Sequence, residues 1–507
     1  MKKIAFILIS SLLIWTSCSE DENGFGFDSR NVPISSEISD GNRDNGITGT
    51  QITEGEGEVQ TGGELEVVEN DFVETEDEAI STFSIDADGA SYSLTRRYLN
   101  RNLLPEAWSI RTEEFINYFN YDYPDPEGAH PIGLEGEIST CPWATDHQLV
   151  RIGIKGKDIV RQQYPPSNLV FLIDASGSMS SPDKIELLKD GFKLLVDELR
   201  PQDRISLVTY ASNPRVVLPS VSGDNKNQIK DAIDRLSASG STNGEGGILT
   251  AYDIAEANFI EGGNNRIIMA SDGDFNVGIS SQEELIDLIE VQREKDIFLT
   301  ILGVGSSLHS QGTMEQLANN GNGNYEYLDN LDQCNKVFID EYNKFFAVAK
   351  DVKVQVEFNE ELVKAYRLIG YENRLLNIED FEDDTKDAGE IGAGQCITAL
   401  YEIIPQKNGD RSSSAFTIDF RYKFPTADVS IPISLDIFDQ GNSFVQATDN
   451  HRFATAVAAY GLELRDSKYK GDVDFSKILN WATESSAYDP FGYKAEFTDL
   501  VNKASGL

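Results

Sequence analysis

The run Leu169-Val170-Phe171-Leu172-Ile173, followed at once by Asp174-Ala175-Ser176-Gly177-Ser178, decides the fold. An unbroken apolar stretch of this length fits a strand covered on both faces, and the polar residues after it mark a loop at its carboxyl end. Downstream, Ile185, Leu188, Phe192, Leu195, Val196 and Leu199 recur at helical spacing, which predicts an amphipathic helix laid over that strand. Further buried strands are expected at 205–210, 267–270 and 297–304, and helices near 226–236, 246–258, 282–295 and 332–348. Such alternation across 167–349 predicts an α/β domain with a doubly wound, mostly parallel sheet. Ligands of these sheets bind at the carboxyl ends of the strands.

The chemistry-bearing residues fall there. Asp174, Ser176 and Ser178 follow the first strand, Ser241-Thr242-Asn243-Gly244 opens a later helix, and Ser271-Asp272-Gly273 closes the strand at 266–270. Asp174, Ser176, Ser178, Thr242 and Asp272 offer only hard oxygen ligands, which suit Mg²⁺ or Mn²⁺ and not zinc or copper. Alone, Asp-x-Ser-x-Ser is weak, because short polar motifs also cap helices and build turns. Three such elements in order, each at a strand end or helix start, make a metal site.

Here the chain resembles the von Willebrand factor type A domain and its metal-ion-dependent adhesion site. The resemblance implies that Ser176, Ser178 and Thr242 bind the metal directly or through water, while Asp174 and Asp272 act mostly through water. It implies an open position filled by an Asp or Glu carboxylate of a partner protein. Gly303-Val304-Gly305, and Met314–Ala318 before Gly321–Tyr325, also look like that family.

The charge balance narrows the partners. The chain of 507 residues carries 43 Lys and Arg against 85 Asp and Glu, a net charge of −42. Nucleic acid is excluded, because phosphate recognition needs a basic footprint. There is no Gly-x-Ser-x-Gly elbow, no His-Glu-x-x-His and no phosphate-binding glycine loop. His130, His147, His309 and His451 are scattered, with no evident nucleophile beside them. The chain is therefore expected not to be an enzyme. A periplasmic assembly factor for an envelope complex is the alternative to partner capture, and a metal-assisted hydrolase is a weaker one.

Met1-Lys2-Lys3, the apolar run from Ile4 to Trp15 and Thr16-Ser17-Cys18 resemble a bacterial lipoprotein signal over residues 1–18, with Cys18 becoming the lipidated first residue. Lipid would be the only membrane anchor, which places the protein in the cell envelope at the outer membrane. Ser19-Glu20-Asp21-Glu22 resembles the acidic export tag of surface lipoproteins, and the sequence leaves open which side of that membrane the protein faces. Residues 19–80 hold 18 acidic and 2 basic side chains and few aromatics, so a disordered tether is expected. Cys141, Cys334 and Cys396 remain, an odd set that forms at most one disulfide.

Both flanks, 81–166 and 350–507, resemble regions that accompany the type A domain in a family of bacterial lipoproteins. Asp86-x-Asp88-Gly89 lacks the rest of a calcium loop and reads as a turn, and Tyr118, Phe119, Tyr121 and Tyr123 read as core. Strands are expected at 149–155, 352–358, 399–404, 415–422 and 429–437, and helices at 452–465, 475–487 and 490–504. The flanks are therefore expected to build one β-sandwich from 81–166 and 350–450, with the type A domain inserted in it and 451–507 helical. The strands at 149–155 and 352–358 are expected to pair or to share a sheet.

Overall fold

The computed structural model describes residues 68–85, 88–273, 282–305, 311–384, 388–407 and 409–507. The signal, Cys18, most of the tether and Asp86 lie outside the described residues. The chain enters through β1 (Val73–Glu74), β2 (Ile80–Ser84), α1 (Ala90–Asn100), α2 (Thr112–Asn117), β3 (Ile132–Thr140) and β4 (Gln148–Gly156). The type A region holds β5 (Ser167–Asp174), α3 (Leu187–Glu198), β6 (Arg204–Tyr210), β7 (Arg215–Ser222), α4 (Lys226–Asp234) and α5 (Gly244–Ala257). It continues with β8 (Asn264–Ser271), α6 (Gln282–Arg293), β9 (Ile297–Val304), α7 (Gln311–Asn320), β10 (Tyr325–Leu328) and α8 (Leu331–Asn335). The chain returns through β11 (Ala347–Phe358), β12 (Val363–Ile369), β13 (Gly389–Gly392), β14 (Cys396–Pro405), β15 (Phe416–Lys423) and β16 (Ile431–Ile437). It ends in α9 (Asp449–Leu464), α10 (Phe475–Glu484) and α11 (Tyr493–Ser505).

β5 is central to a sheet ordered β10-β9-β8-β5-β6-β7, parallel except for the edge strand β7. Side chains alternate across a strand, so Leu169, Phe171 and Ile173 bury with α3 on one face while Val170 and Leu172 bury with α5 and α7 on the other. Phe171 stacks on Phe192 with ring centroids 4.3 Å apart, which locks α3 to the sheet.

The flanks form a sandwich of two antiparallel sheets, β1-β12-β14-β4-β3 and β13-β11-β15-β16, with β2 on β11. The inserted arrangement is what the alternating segments predict. The shared sheet is not: β4 and β11 lie in opposite sheets. β4 spends its two edges on β3 and β14, and β11 spends its own on β15 and on β2 and β13. They meet face to face, with Val150, Ile152 and Ile154 in one core with Val352, Val354 and Val356. Leu149, on the other face of β4, packs with Phe453, Tyr460 and Phe497 of the C-terminal helices.

Three further expectations change. Residues 68–80 belong to the fold and not to the tether: Val73 packs on the sandwich core, Phe72 meets the rings of His147 and Tyr469, and polar contacts hold the rest. Asn70 donates to the carbonyls of Leu368 at 3.1 Å and Gly370 at 2.9 Å, and Thr75 Oγ1 donates to Val363 at 2.6 Å. The single helix expected at 332–348 is broken into α8, a wider turn at Lys336–Asp340 and a tighter one at Tyr342–Phe345, and its last two residues start β11. Phe346 leaves the helical path to stack on Tyr164, centroids 4.3 Å apart. The first flank also supplies more than strands: α1 buries Ala90 and Leu94 in the type A core, and Arg96 pairs with Asp329 at 2.6 Å. Cys141, Cys334 and Cys396 are buried free thiols.

Candidate metal centre

Asp174 ends β5 fully buried, and its Oδ1 accepts the backbone N–H of Ser176 at 2.8 Å. That local closure turns the chain so that the hydroxyls of Ser176 and Ser178 stand 2.9 Å apart. The loop is pinned by its neighbours. Ala175 N–H donates to the Tyr210 carbonyl at 2.8 Å, Gly177 N–H to the Gly240 carbonyl at 3.0 Å, and Ser239 N–H to the Ala175 carbonyl at 2.7 Å.

The last two bonds bring the Thr242 loop alongside the serines. Asn243 then caps α5, its Oδ1 accepting Gly246 N–H at 3.2 Å. Thr242 is half-buried on this loop. Asp272 follows β8, 4 % exposed, and its Oδ2 accepts from Lys184 Nζ at 2.7 Å. The same ammonium donates to the Ser178 carbonyl at 3.1 Å. The structure thus joins Asp174, Ser176 and Ser178 directly, sets Thr242 on a loop bonded to theirs, and links Asp272 to Ser178 through Lys184.

The site is electronegative. Burial, then the Asp174 carboxylate, pushes the Tyr210 phenol well above its ordinary range, so it stays neutral beneath the loop. Two buried carboxylates without full solvation call for positive charge, and Lys184 supplies one unit of it. Among the described residues, no group of three or more His, Cys, Asp or Glu side chains gathers to hold a metal. A cation here must draw on the hydroxyls. Clustered hard oxygens around buried negative charge fit Mg²⁺ or Mn²⁺.

Lys184 is the residue that sequence reasoning did not single out. Its signal was faint, a lone basic residue in the first turn after the serine loop. Gly305 explains one glycine of the Gly303-Val304-Gly305 motif: its φ is +84°, and a Cβ there would collide with the Lys184 side chain.

Fold and site together define a von Willebrand factor type A protein, and the family model described as von Willebrand factor type A domain matches residues 168–339. A model described as von Willebrand factor matches 64–151, and one described as Uncharacterized protein YfbK, C-terminal, matches 343–507. The chain belongs to the family of the YfbK protein of Escherichia coli, to which it is 41% identical over 453 residues, 84% of this chain and 78% of that one. It is also 28% identical over 292 residues to human inter-alpha-trypsin inhibitor heavy chain H4, across 55% of this chain but only 28% of that protein's length. A solved von Willebrand factor type A structure from Catenulispora acidiphila covers 74% of this chain and 90% of its own, at 17% identity and a TM-score of 0.41.

Proposed function

We propose that this chain is a metal-dependent protein-binding module of the bacterial cell envelope, lipid-anchored through Cys18, that captures an Asp or Glu carboxylate of a partner protein. The observation that carries the reading is the pairing of the Ser176 and Ser178 hydroxyls beside buried Asp174, with Asp272 drawn to the same loop by Lys184. Ser176, Ser178 and Thr242 would hold one Mg²⁺ or Mn²⁺, with Asp174 and Asp272 beside or behind them. When bound, the metal supplies an electrophile for an external carboxylate. Asp174 fixes the direction of Ser176 through its backbone N–H, and Lys184 fixes Asp272. The human relative's name describes part of a protein inhibitor, which supports binding over catalysis. A catalytic metal also works beside a positioned base, whereas Asp174 Oδ1 here is engaged by the serine loop itself.

The test is capture from an envelope extract. Partner proteins should be retained in millimolar Mg²⁺ and released by chelator, and Asp272→Ala should retain none. Capture that ignores both chelator and substitution refutes the reading. Cys18→Ser should move the protein from membranes to the soluble fraction, and unchanged membrane retention refutes the anchor.

A further inference from the structure

At the amino ends of the type A strands, opposite the serine loop, lies a second polar site. A cavity of about 260 Å³ is bounded by Arg266 of β8, by Asn322 and Asn324 before β10, and by Ser84, Gly389 and Gln395 of the sandwich. β8 runs about 17 Å from Arg266 to Ser271 at the ordinary strand rise, so the cavity is separate from the serine loop. The inference does not depend on the proposed metal site.

Arg266 is 2 % exposed. Its Nη1 donates to Thr300 Oγ1 at 2.7 Å and its Nη2 to the Phe345 carbonyl at 3.4 Å, while Nε has no acceptor. Most of the five N–H donors of the guanidinium therefore lack a protein acceptor. The rings of Phe298 and Phe345, each centred 5.4 Å from Cζ, hold the group in place.

Other buried arginines show what is missing. Arg96 has Asp329 at 2.6 Å, Arg151 has Glu135 at 2.6 Å and Arg367 has Glu402 at 2.8 Å. Among the described residues, no carboxylate lies within ion-pair distance of Arg266; Glu390 acts on it only at longer range. Burial lowers the guanidinium to about 10, so it is still cationic at neutral pH. A second donor lines the same cavity. Gln395 is 3 % exposed, its Oε1 is taken by Gly392 N–H at 2.7 Å, and its Nε2 has no acceptor. A buried cation and a buried amide donor, both short of acceptors, each carry a desolvation cost that an external acceptor would offset.

We infer that this cavity binds a small oxyanion, a phosphate or carboxylate group, with Arg266 as its counter-ion and Gln395 as a second donor. The volume lies just below the roughly 300–1,000 Å³ of ordinary ligand pockets, which suits a small ion and not a larger molecule. Arg266, Arg293, Lys344 and Arg374 line the cavity against the carboxylates of Asp88, Glu290 and Glu390, an excess of one positive charge that suits a single anionic group over a polyanion. Because Arg266 belongs to the type A sheet and Gln395 to the sandwich, the bound anion would bridge the two.

The experiment is thermal unfolding and calorimetry of the full chain in chelator, at fixed ionic strength, with inorganic phosphate or acetate in place of chloride. One or both anions should raise the melting midpoint saturably, and which one does so distinguishes a phosphate from a carboxylate ligand. Arg266→Met should fold and lose the response, and Gln395→Leu should weaken binding by about tenfold. If Arg266→Met does not fold, Gln395→Leu carries the test alone. The inference is overturned if neither anion exceeds chloride, or if the folded variants respond like the parent chain.

Discussion

Lys184 and Asp272 form an ion pair of 2.7 Å across the rim of the serine loop, the carboxylate 3 % exposed and the ammonium 17 %. The contact joins the helical turn Pro182–Glu186, just before α3, to the residue that follows β8, and the order of these elements in the sequence gives no hint of their meeting. Lys184 thereby offsets part of the negative charge that Asp174 and Asp272 bring to the site, and it does so without occupying either serine hydroxyl.

Replacing Lys184 by Met should therefore strip the 2.7 Å ion pair from buried Asp272. The expected loss of stability without metal is about 2 kcal/mol, less than for a fully buried pair because Lys184 is partly solvated. Millimolar Mg²⁺ should stabilise Lys184→Met more than the parent chain, since it takes over the neutralisation of Asp272. Paired denaturant titrations with and without Mg²⁺ measure this, and an equal Mg²⁺ effect on both proteins contradicts it.

Ser176→Ala with Ser178→Ala removes both oxygens of the 2.9 Å hydroxyl pair and leaves the carboxylates in place. Mg²⁺ affinity should fall by at least about tenfold, on the scale of losing supporting contacts at a metal site. The melting midpoint of the parent chain should drop on chelation, and that of the double variant should not. A double variant with full Mg²⁺ affinity by calorimetry would show that the serines are not ligands.

The central strand was legible because a strand covered on both faces must be apolar throughout, as Leu169–Ile173 is. The residues of the candidate site were legible because such runs mark the strand ends at which they sit. β7 was not read, since an exposed edge strand holding Pro219 carries no clear period. The break at 336–345 was hidden for another reason. Val337, Phe338, Tyr342 and Phe345 keep helical spacing, yet Lys336 and Lys344 both turn inward to Glu341. That cluster is a tertiary fact, as is the lack of a carboxylate at Arg266. The order of residues 68–80 was missed because composition reports apolar burial, whereas Asn70 and Thr75 add bonds to backbone carbonyls.

Glu326 on β10 gives a pH signature. Burial pushes its carboxyl up to about 7, with Glu341 adding to the rise against Lys344 and Lys336. A folded-state pKa above the unfolded one means that the folded chain binds more protons between about pH 4.5 and 7, so this group lowers stability as pH rises through that window. Above it the penalty is constant, on the order of 3 kcal/mol. Glu326→Gln should therefore be more stable than the parent chain at pH 8 and nearly equal to it at pH 4.5. Glu113, raised to about 7 by burial and then by Glu372, titrates in the same window, so only the difference between the two proteins isolates Glu326. Urea midpoints across the range that show a pH-independent difference would contradict the assignment.

The last prediction concerns whether the C-terminal region, 343–507, can stand alone. β14 lies between β12 and β4, and β11 carries β2 from the first flank. Without residues 68–166, β14 has an open edge where Gln148–Lys155 pair with it, and β11 loses Ile80–Ser84. Such edges expose rows of unpaired N–H and C=O groups. The sandwich core also loses Val150, Ile152 and Ile154, and the helical layer loses Phe115, Phe119 and Leu149. Fully burying each such side chain contributes about 1.5–3 kcal/mol, so losing six of them removes roughly 9–18 kcal/mol, as much as the 5–15 kcal/mol that a whole domain has to spare. Residues 343–507 expressed alone should lack a cooperative thermal transition and should gain one when residues 68–166 are supplied as a second chain. A lone fragment that unfolds cooperatively, at a midpoint near that of the full chain, would refute the inserted sandwich as a folding unit.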